Sequence, residues 1–268
     1  MRTTIKWSIL SAMAVLACFS IRPAIARIGF LPAVIIAQPG ISHLEETENF
    51  VFDMTNKMRR EHGLKKLKKE DVLRITSREH SADMISRNYF DHNNPDGLAP
   101  EDRIAIRHRR LVGLTGENIW NGYGYDINNS RQIAELIMTG WMNSPGHRAN
   151  ILRAEYTHLG VGVSTNGHMI MATQNFAAVL AYIDSPVPAL VNQNASLNLK
   201  AGVLSGSVRK PTKYDFWISQ IDRQVAGPFP IADAKAAVAP GIYKLRFYFP
   251  DKSGYSFTIY TGPQIKVE

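Results

Sequence analysis

The hydrophobic period changes near Leu159, and no other feature constrains the fold as tightly. Upstream, apolar residues recur at helical spacing. Val51, Met54 and Met58 fall at i, i+3 and i+7 on one stripe of a helix predicted over 44–62, and Gly63 follows as its stop. A second helical run covers about 69–89, where Val72, Thr76, His80 and Met84 recur at steps of four, so His80 shares a partly inward face with apolar neighbours. A third opens at Ser130, a good cap, and carries Ile133, Ile137 and Trp141. From Leu159 the pattern becomes that of strands. Leu159–Ser164 and His168–Phe176 are joined across Thr165-Asn166-Gly167, and Asn-Gly tolerates the positive φ of a tight hairpin turn. Helices followed by an antiparallel hairpin predict an α+β fold.

Two punctuation marks refine this outline. In WMNSPGHRANIL, Trp141 to Leu152, Ser144 is placed to cap and Pro145 to begin a short helix, because the missing proline N–H would have had no partner there. His147 then falls in its first turn. Asn94-Pro95-Asp96-Gly97 has the residues of a type I turn. From Ser185-Pro186-Val187-Pro188 onward, short alternating runs at 214–221 and 242–249 predict a separate small all-β, sandwich-like module over 185–268.

The N-terminus reads as an export signal. MRTTIKW is basic, SILSAMAVLACFSI is an apolar run too short to span a bilayer comfortably, and Ala24-Ile25-Ala26 has the small-x-small form of a cleavage site. The expectation is a signal peptide at 1–26 and a linker at 27–43. Val15-Leu16-Ala17-Cys18 also matches a bacterial lipobox, and a retained anchor is a third reading. Cys18 is the single cysteine, so cleavage at Ala26 leaves no thiol for disulfides, metal ligation or nucleophilic attack. Stability must then come from a core, which an apolar fraction of 45% supplies. The expected location is secreted, periplasmic or envelope-associated.

Lysine and arginine number 31 against 23 acids, and Arg2, Lys6 and Arg22 lie within the leader. The runs Lys65, Lys66, Lys68, Lys69 and Arg103, Arg107, Arg109, Arg110 around His108 read as solvated faces. An exported basic chain could also use them on anionic envelope polymers or lipid headgroups. Sparse aromatics in these runs and the export signal argue against nucleic acid. No G-x-S-x-G or H-E-x-x-H word occurs. Gly122-Tyr123-Gly124, followed by Asp126, is no phosphate cradle, and Ser81 beside His80 cannot face it on a helix.

Over Leu44 to Val179 the words MTNKMRREHGLKKL, SREHSADMISRNYFDHNNPDG, GENI at 116–119, WMNSPGHRANIL and GVGVSTNGHMIMATQNF occur in an order and spacing that resemble a bacterial CAP superfamily domain, the cysteine-rich secretory, antigen 5 and pathogenesis-related 1 proteins. The resemblance implies an α-β-α sandwich around a central antiparallel sheet over 44–184, with a large cleft. It also implies a site of two histidines and two acids for zinc or another divalent metal. The first histidine carries over to His80 and one acid to Glu117. The second acid falls on Ser144 and the second histidine on Met171, so the set is incomplete.

His147 is a chemically suitable substitute, giving a metal set of His80, Glu117 and His147 with room for water. The competing reading makes these residues structural: Glu117 caps or pairs with Arg59 or Arg148, His147 and Asn150 bond local backbone, and His80 is a satisfied imidazole. Asn118, Asn150, Arg148 and Gln174 are expected to line the cleft or support it. The leading expectation is an exported, non-catalytic binding or envelope-associated protein for a small ligand, lipid or metal. The alternatives are a metal-dependent hydrolase of peptide or envelope polymer and a structural envelope protein.

Overall fold

The computed structural model describes residues 40–204 and 210–268, so the predicted signal peptide, Cys18 and most of the linker lie outside the described residues. The described chain runs β1 (Ser42–His43), α1 (Glu45–Glu61), β2 (Lys68–Lys69), α2 (Asp71–Ser86), α3 (Pro100–Arg107) and β3 (Leu111–Tyr123). It continues through α4 (Ser130–Asn143), α5 (Pro145–Ile151), β4 (His158–Thr165) and β5 (Met169–Ile183). The remainder is all strand: β6 (Leu190–Val191), β7 (Ala201–Val203), β8 (Lys213–Ile218), β9 (Arg223–Pro230), β10 (Gly241–Pro250) and β11 (Phe257–Val267).

Apolar periodicity placed α1, α2, α4 and the β4–β5 turn within a few residues of where they lie, although β5 runs on to Ile183, seven residues past the expected end at Phe176. At the hairpin turn Gly167 has φ 88°, as the Asn-Gly signal requires. Asn129 rather than Ser130 caps α4, its side chain accepting the Gln132 amide at 3.1 Å. Ser144 takes the N-cap position of α5 with Pro145 at the first turn, but its hydroxyl makes no capping bond.

Helices cover both faces of the sheet. Residues of α1, α4 and α5, among them Val51, Ile137, Trp141 and Ile151, pack on Leu159, Val161, Ala172 and Phe176 of one face. On the other, Leu73 of α2 and Ile104 of α3 pack on Leu111, Ala177 and Val179. Two glycines let α2 lie directly on β4. A Cβ on Gly160 would come within 2.1 Å of the Arg74 nitrogen, and one on Gly162 equally close to that of Arg78. The GVGV word is thus the footprint of a helix on a strand.

The strand order is β1-β4-β5-β3-β11-β10-β8-β9, with β2 added beside β4, β7 beside β5 and β6 beside β11. The main ladders are antiparallel. The strands after residue 185 join those before it where Thr261 of β11 pairs with Gly113 of β3 and where β7 pairs with the end of β5. A core of Tyr214, Phe216, Leu245, Phe247 and Ile265 runs on into Val112, Ala181 and Ile183. Arg109 fastens the junction, donating to the carbonyls of Val187 at 2.8 Å, Pro188 at 3.0 Å and Gln264 at 2.5 Å.

Candidate functional site

Glu117 faces the α2 side of the sheet, since it lies opposite Asn175 and Asn175 donates to Ser77 of α2 at 3.0 Å. Only 6% of the residue is exposed, and a carboxylate so desolvated needs partners for both oxygens. His92 donates from Nδ1 to Oε1 at 2.9 Å, and Arg103 from Nη2 to Oε2 at 2.7 Å. The same guanidinium uses Nη1 to reach the carbonyls of His92, 2.7 Å, and Leu98, 2.8 Å. One arginine therefore holds the carboxylate and the loop that carries its second partner. Hydrogen bonding to Glu117 raises the His92 pKa above its ordinary 6.5.

His80 lies against this group, Nε2 at 3.8 Å from Glu117 Oε1. Its Nε2 faces the Asp91 carbonyl at 3.1 Å, an atom that only accepts, so that nitrogen carries the proton. Burial, aided by Arg103 and opposed by Glu117, pushes its pKa down to about 4. His80 is a neutral imidazole with a committed donor. The adjacent Ser81 is engaged elsewhere, bonding to the Gly162 carbonyl and to Thr173 Oγ1.

Beside the group opens a cavity of about 490 Å³, lined among others by Phe90, His92, Trp120, Asn121, Trp141 and His147. Trp141 is fully buried and donates its indole N–H to the Ile119 carbonyl at 3.0 Å, which fixes the cavity floor. His147 Nδ1 is buried and has no hydrogen-bond partner among the described residues. Desolvation first, and then the charge of His92, lower its pKa.

Asn118, Asn150 and Gln174 form a ladder behind the cavity. Asn118 donates to the His147 carbonyl at 3.1 Å and to Gln174 Oε1 at 3.2 Å. Asn150 donates to the Glu117 carbonyl and to Asn118 Oδ1, and Gln174 to Thr55 Oγ1. These amides lock α5, β3, β5 and α1 together, and so position His147 through its backbone. Arg148 is exposed.

As arranged, the donors of His80, Glu117 and His147 do not fit a metal. The His80 Nε2 proton faces a carbonyl, and a guanidinium already occupies the carboxylate where a cation would bind. His80 and His92 both lie close to Glu117 Oε1, at 3.8 Å and 2.9 Å, but the His92 contact is a hydrogen bond to that oxygen. Glu117 pairs with Arg103, which corrects the expected pairing with Arg59 or Arg148. Arg59 is wholly buried and donates instead to the carbonyls of Lys65, Ile151, Arg153 and Tyr156.

His92 and Arg103 were not singled out for this site from sequence. His92 was concealed by the turn signal of Asn94 to Gly97, and Arg103 by a basic run read as solvated. That run is built into the fold: besides Arg103 and Arg109, Arg107 pairs with Glu79 and Arg110 donates to the Ile183 carbonyl.

The family described as CAP, the cysteine-rich secretory protein family, matches residues 52–176. An uncharacterized protein of Bacillus subtilis strain 168, YkwD, is 35% identical over 130 residues, which cover 47% of this chain and 46% of that protein. YlbC, an uncharacterized membrane protein of the same strain, is 36% identical over 130 residues, covering 48% and 34%. The similarity thus spans less than half of each of these relatives. Among solved structures, an extracellular SCP-domain protein of Bacillus anthracis str. Ames is 34% identical with a TM-score of 0.42, covering 50% of this chain and 40% of that one. An outer surface protein of Borrelia burgdorferi is 18% identical with a TM-score of 0.43, covering 51% and 96%.

Proposed function

Because residues 52–176 are a bacterial CAP domain, we propose that the chain is an exported, non-catalytic binding module whose cleft between His92 and His147 holds a small organic ligand. The observation that carries this reading is the lining of the cleft, which sets the His92 and His147 imidazoles beside Phe90 and Trp120. His147 Nδ1 is buried without a partner, at a cost of about 1–3 kcal/mol that a ligand would recover once the ring turns that nitrogen into the cleft. Trp120 and Phe90 offer flat apolar surface beside that polar point, the mixture typical of small-molecule sites. Glu117 is ill suited as a general base, because both of its oxygens are engaged by His92 and Arg103.

Ligand-observed NMR on the full chain tests this, with small amides, carboxylates and short-chain lipids as probes and His147→Phe as the comparison. The expected result is at least one probe whose binding is lost in the variant. Absence of any hit, or hits indifferent to His147→Phe, would return the cleft to a structural role. Calorimetric zinc titration is the second arm. Stoichiometric zinc binding abolished in both His80→Ala and His147→Ala would overturn the metal-free reading and favour a metal-dependent hydrolase.

A further inference from the structure

A second cavity, about 280 Å³, opens where the first turn of α3 meets strands β8, β10 and β11. Its lining is Glu101, Trp217, Lys244, Arg246 and residues 259–261. Strand register brings Trp217, Lys244, Arg246, Ile259 and Thr261 onto one face: Lys244 is opposite Trp217, and Arg246 is opposite both Asp215 and Thr261.

The polar groups are held in place. Lys244 is only 5% exposed, with Nζ 2.8 Å from Asp102 Oδ1 and 3.9 Å from Glu101 Oε1. Arg246 grips the buried Asp215 through Nε at 2.9 Å and through Nη2, and Tyr248 donates to the same carboxylate at 2.5 Å. Its guanidinium carbon lies 3.7 Å from the centre of the Trp217 ring. The Nη1 donors are not spent on Asp215. Closing the junction would need only the Lys244–Asp102 pair, whereas the cavity adds a second fixed cation, a tryptophan and the Thr261 hydroxyl.

We infer that this cavity is a binding site for a neutral saccharide, taking one sugar unit of a longer chain. Lys244 is paired with Asp102 and Arg246 with Asp215, so an anion meets no spare positive charge, and a cation meets only the half-exposed, solvent-screened Glu101 while still having to be desolvated. A sugar is neutral and carries donors and acceptors together. Its hydroxyls can accept from Arg246 Nη1 and Lys244 and donate to Glu101, while its C–H face packs on Trp217 and Ile259. This site does not depend on the ligand proposed for the His92–His147 cleft.

Isothermal calorimetry on the full chain with maltotriose, cellotriose and tri-N-acetylchitotriose as probes decides the matter. Saturable binding of at least one trisaccharide is expected. It should weaken about tenfold or more in Trp217→Ala and in Glu101→Gln, the loss of one charged hydrogen bond being worth that factor, and should be unchanged in His147→Phe. Glu101 is half-exposed at the rim, so Glu101→Gln remains readable if Trp217→Ala fails to fold. No binding of any trisaccharide at millimolar concentration, binding indifferent to Glu101→Gln, or binding lost in His147→Phe would each overturn the inference.

Discussion

Asp215 and Glu117 are buried carboxylates of one sheet, on β8 and β3, and each meets an arginine. Asp215 receives Arg246 through two nitrogens and Tyr248 through its hydroxyl, and it has no exposed surface. Glu117 receives Arg103 through one nitrogen, and its other oxygen depends on His92, whose side chain is 48% exposed and whose pKa is raised by the bond to Glu117. A carboxylate satisfied by groups with no charge change near pH 7 is a fixed part of the frame. One satisfied partly by a half-exposed histidine is adjustable, and a cleft opens beside it.

The largest expected effect lies at the fixed end of this contrast. Asp215→Ala strands Arg246 and should cost about 3–5 kcal/mol in chemical denaturation at neutral pH, as removal of one partner from a buried pair does. Glu117→Gln should cost less, roughly 1–3 kcal/mol, because Arg103 keeps the carbonyls of His92 and Leu98. Equal losses would abolish the distinction.

The sequence disclosed these two carboxylates unequally, for a physical reason. Glu117 was marked by the GENI word, whereas Asp215 lies in KYDFWI, where nothing local shows that its charge will be buried against β10. Periodicity reports burial on one face, so it located α1, α2 and α4. It missed β3, which is covered by helices on both faces and lacks alternation in LVGLTGENIWNGY. It also passed over α3, although Pro100 at its start and Asp102, whose carboxylate accepts the Ala99 amide at 3.1 Å, are ordinary helix-start signals. The partners of Glu117 come from the loop before α3 and from α3 itself, so missing that helix meant missing His92 and Arg103. The resemblance put His80 and Glu117 in one site, with His147 added as a substitute, but could not show that hydrogen bonds already commit the first two.

The adjustable end carries opposite pH dependences. His92 has its folded pKa raised, so its contribution is full below 6.5 and is lost as pH rises through the raised value. His80, lowered to about 4, is neutral in the fold, so stability falls as pH drops from 6.5 toward 4. Histidine ring NMR should find His92 titrating above 6.5 and His80 still neutral at pH 5. In Glu117→Gln the His92 value should fall. If it does not, the carboxylate is not what holds that proton.

The smallest change in stability belongs to His92→Asn, and it separates the two halves of the contrast most sharply. A half-exposed partner of a buried acid is worth at most about 1 kcal/mol, because solvent screens the pair. Denaturation should therefore barely register the substitution. His147 should register it clearly: the charge of His92 is one of the two causes that lower its pKa, so removing that charge should move the His147 titration upward while leaving its burial unchanged. A shift in His147 with little loss of stability would show that the two histidines share the cleft electrostatically and that the frame does not depend on them. If His147 stays where it was while stability drops by several kcal/mol, His92 belongs with Arg246 as part of the frame, and the cleft loses its adjustable wall.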